Sequence, residues 1–258
     1  MDTKLKIVVL AAGKGSRLKT DENDAPKVMR LACGKPLLEH VLNALPTCSK
    51  DDIIIVAGFG KEQVTDYFKG YVFAEQKEQL GTGHAVDAAR DLLKNFDGFA
   101  LICYGDMPIV KRQTYEALLE AHFKQGNDCT ILTGQSSLAQ SFGRIVRDED
   151  GGFLRVVEDR DCTPEQKAIT ELNTGVYVFD VRKMLSALSK VQNNNSQGEY
   201  YLTDVPEIMR ESGDKIGIYS RNLGDEILGV NTAQQLKQVE DILRGKQEEK
   251  PGCAARKI

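Results

Sequence analysis

Residues 6–10 (KIVVL) form a short, β-rich apolar run that leads without a break into Ala11-Ala12-Gly13-Lys14-Gly15. A run of this kind reads as a fully buried strand, and the glycines behind it call for a tight turn. A strand buried on both faces belongs inside a mostly parallel sheet covered by helices. The order downstream agrees. Residues 36–45 place apolar side chains at helical spacing behind Pro36, and Ile53–Ala57 is a second apolar strand. A short helix over 61–68, a strand over 71–74 and a helix over 83–93 follow. Phe99–Tyr104 is another buried strand, ending in Gly105-Asp106. Strands alternating with helices of roughly ten residues predict βαβ units, an α/β chain of Rossmann-like, doubly wound type.

The second half is less regular. Arg144–Arg147 and Phe153–Val157 flank Asp150-Gly151-Gly152, a hairpin signal, and residues 176–179 form a further strand. Helices are expected over 203–211 and 233–244. The prediction is a doubly wound core with an inserted β-rich lobe able to close over a small ligand, built as one domain over residues 1–245. Residues 246–258 are expected to form a flexible tail, because they are charged and lack periodicity.

Composition narrows the function classes. The formal net charge is −4 and 41% of the 258 residues are hydrophobic. That fills a sizeable core and offers no basic footprint, so nucleic acid is not an expected partner. No apolar stretch approaches the roughly 18 residues needed to span a membrane. The six cysteines are scattered without a CxxC pair, which argues against zinc and disulfides and for a cytoplasmic protein with reduced thiols.

Chemistry concentrates in a few places. Glycines at 13 and 15 allow backbone N–H groups to approach a phosphate chain, and Arg17 adds a planar charged fork suited to phosphate oxygens. Taken alone, such glycines serve a phosphate cradle and tight packing equally well. The Walker spacing GxxxxGK[ST] is not met, and Leu18 stands where the dinucleotide fingerprint needs its last glycine, which disfavours a nicotinamide dehydrogenase. Gln79-Leu80-Gly81-Thr82-Gly83-His84 sets small residues before a helix, either as an ordinary turn capped by Thr82 or as donors toward a base or phosphate. Asp106 lies at the carboxyl end of a buried strand, where open α/β sheets bind ligands; it caps the next segment or holds charge. Asn231, by spacing alone, reads as a helix N-cap. The histidines, His40, His84 and His122, read as structural.

Leu10-Ala11-Ala12-Gly13-x-Gly15-x-Arg17-Leu18 followed by Pro26-Lys27 resembles the signature of sugar-1-phosphate nucleotidyltransferases. The run NNNSQGEYYLTD over 193–204 resembles the loop of N-acetylglucosamine-1-phosphate uridyltransferases, the pyrophosphorylase half of a bifunctional bacterial enzyme. The resemblance covers residues 6–243, with the motifs in the expected order. It implies that Leu10, Ala11, Ala12, Gly13 and Gly15 cradle the triphosphate of UTP, while Arg17 and Lys27 act catalytically on its charge. It implies a base pocket of Gln76, Gln79, Gly81 and Thr82, in which the Gln76 amide both donates to and accepts from uracil. It implies Mg2+ on Asp106 and Asn231, and a sugar side of Tyr104, Gly105, Gly143, Glu158, Asn173, Tyr200 and Thr203. The expected partners are UTP and N-acetylglucosamine 1-phosphate. Two departures stand out: the segment between Arg17 and Lys27 is a few residues long for this family, and no hexapeptide repeat follows, so acetyl transfer is not expected. Another sugar 1-phosphate or base, or a regulator that binds nucleotide sugar without turnover, are the competing readings.

Overall fold

The computed structural model describes residues 4–15, 18, 25–46, 48–135 and 141–248. Eleven strands are present among them: β1 Leu5–Ala11, β2 Leu31–Ala32, β3 Lys35–Pro36, β4 Ile53–Ala57, β5 Val72–Glu75, β6 Phe99–Tyr104, β7 Cys129–Gln135, β8 Arg144–Arg147, β9 Phe153–Val157, β10 Glu171–Asp180 and β11 Ile216–Arg221. The helices are α1 Leu37–Ala44, α2 Lys61–Tyr67, α3 Thr82–Asp87, α4 Arg90–Leu93, α5 Arg112–Gln125, α6 Pro164–Lys167, α7 Val181–Leu188, α8 Val205–Glu211 and α9 Ala233–Glu248.

The main sheet has the order β11-β7-β10-β6-β1-β4-β5. Its β1, β4, β5 and β6 pair in parallel, as does β11 with β7, while β10 runs antiparallel to both β6 and β7. Side chains alternate across the sheet, so β1 feeds two cores. Val8 and Leu10 pack with the α3, α7 and α8 side, and Ile7, Val9 and Ala11 with the α1 and α5 side. Full burial of each such valine or isoleucine contributes about 1.5–3 kcal/mol. β1 has β4 on one side and β6 on the other. Its carboxyl end is therefore the point where the strand order reverses, the place where α/β sheets bind ligands.

Several expectations need correction. The inserted lobe is a hairpin, β8–β9, that pairs with β10 at Arg144↔Leu172 and so extends the main sheet. The helix expected over 83–93 is two, because Ala89 leaves helical geometry at φ −89°, ψ 2°. The helix expected from 203 begins as a 3-10 turn, Leu202–Asp204, with α8 following from Val205 and Pro206 in its first turn. The C-terminal helix α9 continues to Glu248, past its expected end at 244. No helix among the described residues is long and apolar enough to cross a membrane.

Candidate active site

Three distant segments meet at the carboxyl ends of β1 and β6. Leu10 and Tyr104 are register neighbours, and the Gly105 N–H donates to the Leu10 carbonyl at 2.9 Å. The chain leaving β6 is thus held beside the loop leaving β1. The Val230 N–H donates to the Asp106 carbonyl at 3.0 Å, which brings residues 229–232 to the same point. Between them rises Lys27, from a 3-10 turn that starts behind Pro26. Its Nζ donates to Asn231 Oδ1 at 2.6 Å and to the Asp106 carboxylate. Asp106 and Asn231 thus aim two oxygens at one cation. The capping role for Asn231 falls to Thr232, whose Oγ1 accepts from the Gln235 N–H at 3.2 Å.

Gly15 supports this arrangement directly. It has φ +62°, and a Cβ there would lie 2.7 Å from Lys27 Cβ, so only glycine lets the lysine come this close. A Cβ on Gly13 would meet nothing within 4 Å, so packing does not explain that glycine. Leu18 is buried against the α9 cluster. Arg17, the other residue expected to act on the triphosphate, lies outside the described residues, as does most of the segment joining it to Lys27.

A cleft opens over these groups. It is lined by Leu10, Ala11, Ala12, Gly13, Lys27, Tyr104 and Asp106. Gln76, Gln79, Gly81 and Thr82 line it too, so the expected triphosphate and base residues share one cavity. Three liners were not anticipated: Val28, Ala85 and Glu199. Glu199 sits inside the NNNSQGEYYLTD run, and that run was the available signal. Thr82 is not the cap of α3, a position that Gly81 holds; its Oγ1 instead accepts from the Leu202 N–H at 2.9 Å.

The loop around Gly81 is pinned by Tyr200. The Tyr200 N–H donates to the Leu80 carbonyl at 2.8 Å, and its carbonyl accepts from the Gly83 N–H at 2.7 Å. Gly81 has φ +114°, and a Cβ would come within 2.5 Å of the Tyr200 oxygen. Gly81→Ala is expected to cost about 2–3 kcal/mol in stability, the scale of a forced backbone outlier. Urea unfolding of the variant beside wild type checks this.

The residues expected on the sugar side divide. Tyr104 borders the cleft, and burial raises its phenol well above the ordinary range. Gly105 is closed in by Val28 and Leu38. Glu158 accepts from Thr203 Oγ1 at 3.0 Å and lines a neighbouring cavity with Asp161, Asn194, Asn195, Tyr201 and Asp204; burial raises its carboxyl. Gly143 packs tightly, its missing Cβ 2.8 Å from Val156 Cγ1. Asn173 departs from expectation. It lies inside β10 at a bulge, with Nδ2 donating to the Tyr177 hydroxyl at 2.7 Å and Oδ1 accepting from the Gly175 N–H. Tyr200 also departs. It fastens the Gly81 loop through its backbone and lines a separate cavity with Leu80, Gly83 and His84.

Next to Glu158, burial raises the Asp204 carboxyl to about 6, with repulsion from Glu207, Glu158 and Asp161 adding to it. The folded protein keeps a proton there that the unfolded chain releases near pH 4, so stability falls as pH rises from about 4 to about 6. Asp204→Asn is expected to raise stability at pH 7 by about 1–2 kcal/mol, allowing for solvent that still reaches the group. The gain should vanish below pH 4, which urea titrations at the two pH values would reveal.

The histidines do different work. His40 contacts the Ala32 carbonyl at 2.8 Å, and His122 is fully buried against Thr130 Oγ1, where burial lowers its pKa to about 4. Both are structural. His84 instead meets the side chain of Gln76, a cleft residue, at 3.1 Å.

Residues 7–241 match the family described as MobA-like NTP transferase domain. The chain belongs to that family. Among curated proteins, this NTP transferase is 47% identical over 239 residues to the bifunctional protein GlmU of Lactobacillus gasseri, covering 92% of this chain and 51% of that one. It is 44% identical to the bifunctional protein GlmU of Clostridium novyi, with 92% and 52% covered. The chain therefore spans about half the length of the curated relatives it matches. Among solved structures, UDP-glucose pyrophosphorylase complexed with UDP-glucose superposes with a TM-score of 0.72 at 18% identity, covering 93% of this chain and 98% of that one. That likeness shows the α/β Rossmann-like fold expected from the strand pattern.

Proposed function

We propose that the chain is a uridyltransferase that joins UTP and N-acetylglucosamine 1-phosphate to give UDP-N-acetylglucosamine and pyrophosphate. The observation that carries this is the convergence of Lys27, Asp106 and Asn231 at the strand-order switch point, beside the Gln76–Thr82 wall. A phosphate oxygen of the sugar phosphate attacks the α-phosphorus, the bond from that phosphorus to the β-phosphate bridging oxygen breaks, and pyrophosphate leaves in line. The attacking group is already an anion, so no protein nucleophile is needed, and the chain's part is positioning and charge stabilisation.

Lys27 and Arg17 neutralise the triphosphate as charge moves onto the departing pyrophosphate. Backbone N–H groups around Gly13 and Gly15 hold the phosphates, and Gln76, Gln79, Gly81 and Thr82 hold the base. Tyr104, Gly105, Gly143, Glu158 and Thr203 face the sugar, with Asn173 and Tyr200 supporting from behind. Among the described residues no three His, Cys, Asp or Glu side chains cluster as a metal cage. One carboxylate and one amide nonetheless converge on a single point, taken here by the Lys27 ammonium, and they are a donor set that suits Mg2+ once that ammonium turns to the substrate phosphates. Asp106 and Asn231 would hold that ion, and when bound it supplies Lewis-acid stabilisation of phosphate charge. The scattered thiols fit work in the cytoplasm.

A panel of UTP, CTP, ATP and GTP against N-acetylglucosamine, glucose and glucosamine 1-phosphates, read by pyrophosphate release, tests the reading. UTP with N-acetylglucosamine 1-phosphate should lead by at least tenfold. Tight binding of UDP-N-acetylglucosamine without any pyrophosphate release would instead favour a nucleotide-sugar regulator.

A further inference from the structure

The Gln76 side chain is buried, and both of its amide protons are already used. Nε2 donates to the Gly81 carbonyl at 3.0 Å and contacts His84 Nδ1 at 3.1 Å. A carbonyl only accepts, so the Gly81 contact identifies the amide nitrogen. The second proton then faces His84 Nδ1, which must offer a lone pair, so the ring carries its proton on Nε2. Both partners are firmly placed. The Gln76 N–H donates to the Ala57 carbonyl at 2.8 Å, and α3, which carries His84, is tied at Gly83 to Tyr200. Gln76 borders the cleft, and the group it has left to offer is Oε1, an acceptor. The expectation that this amide both donates and accepts is therefore corrected.

We propose that His84 is a positioning residue for base selection: by taking the second amide proton it holds Gln76 as an acceptor, which favours a base with a ring N–H. The proposal rests on the uridyltransferase reading above. Uracil has one donor on its pairing edge, N3–H, whereas cytosine seated in the same way sets a lone pair against Oε1. A 5-methyl group leaves N3–H in place, so 5-methyl-UTP is read as UTP is. Without His84 the second amide proton lacks a partner in a buried site, and a buried donor left unsatisfied is costly. A half-turn of the amide then gives up only the Gly81 bond instead of two contacts, and it brings a proton to the cleft, where it suits cytosine N3.

The test measures kcat/KM by pyrophosphate release with UTP, 5-methyl-UTP and CTP. His84→Ala is expected to narrow the UTP:CTP ratio about tenfold, equivalent to about 1.4 kcal/mol, with the UTP:5-methyl-UTP ratio held within about twofold of wild type. The loss with UTP should fall on KM more than on kcat. His84→Asn, which can place Oδ1 where Nδ1 stood, should restore most of the ratio. Equal losses with all three nucleotides, or no rescue by asparagine, would mean that His84 only packs. Nitrogen-15 shifts of wild-type His84 give a readout that needs no variant: Nδ1 bare and Nε2 protonated supports the proposal, and a protonated Nδ1 overturns it. A wild type that does not prefer UTP to CTP removes the base reading itself, a failure visible before any substitution is made.

Discussion

Lys27→Ala should lower turnover by at least about a hundredfold while leaving the fold intact, as loss of a charge partner to the transition state does. The lysine is held from two sides, by Asp106 and Asn231, and Gly15 has no side chain because Lys27 occupies that space. Its ammonium is part-buried, where charge acts more strongly than in bulk water. The side chain lies at the rim of the cleft and not in either core, so truncation should shift the unfolding midpoint little. Lys27→Arg should recover only part of the rate, because a bulkier planar guanidinium does not place its charge on the triphosphate as a compact ammonium does. Steady-state kinetics alongside thermal melts separates the two effects. A Lys27→Ala variant with wild-type turnover would remove the lysine from the mechanism.

The second large effect is expected at Asp106. Asp106→Ala should reduce activity on the order of a thousandfold, through lost stabilisation of phosphate charge. It should also raise the half-saturating magnesium concentration at least about tenfold, since one carboxylate carries most of the charge available to the ion here. Manganese binding followed by electron paramagnetic resonance reads that loss without relying on turnover. An Asp106→Ala protein that lost activity but bound manganese as tightly as wild type would place the ion elsewhere.

The strands that build the floor of this site were readable because parallel, doubly buried strands leave continuous apolar runs: β1, β4 and β6 are of this kind. The strands β7 and β11 and the helix α7 were not anticipated. β7 carries Thr130 and Thr133 at buried positions, which dilutes its apolar signal; the hydroxyls are satisfied by His122 and Glu171. β10 was seen only over 176–179 because Asn173-Thr174-Gly175 reads as a loop. In the fold those residues are a buried bulge, with Thr174 Oγ1 donating to the Leu132 carbonyl at 2.7 Å and Asn173 reaching Tyr177. Polar residues inside a strand look like turn residues until their partners are known, and the partner of Thr174 is 42 positions away.

The candidate site shows the same division. Gly15 and Lys27 stand close enough in sequence to suggest a phosphate loop. Asn231, 204 positions from Lys27, looked like an ordinary cap by spacing, and only family resemblance pointed to it. His84 was read as structural because a lone histidine near a glycine turn carries no spacing signal. Its contact with Gln76 depends on how α3 packs against β1, which no local pattern encodes.

The most direct measurement is phosphorus-31 NMR of the wild-type protein with UTP and N-acetylglucosamine 1-phosphate, in parallel samples with magnesium and with excess EDTA. The account predicts UDP-N-acetylglucosamine and pyrophosphate appearing in equal amounts in the magnesium sample, and neither in the chelated one. UTP consumed at the same rate without the sugar phosphate, or both substrates bound and left unchanged, would contradict it.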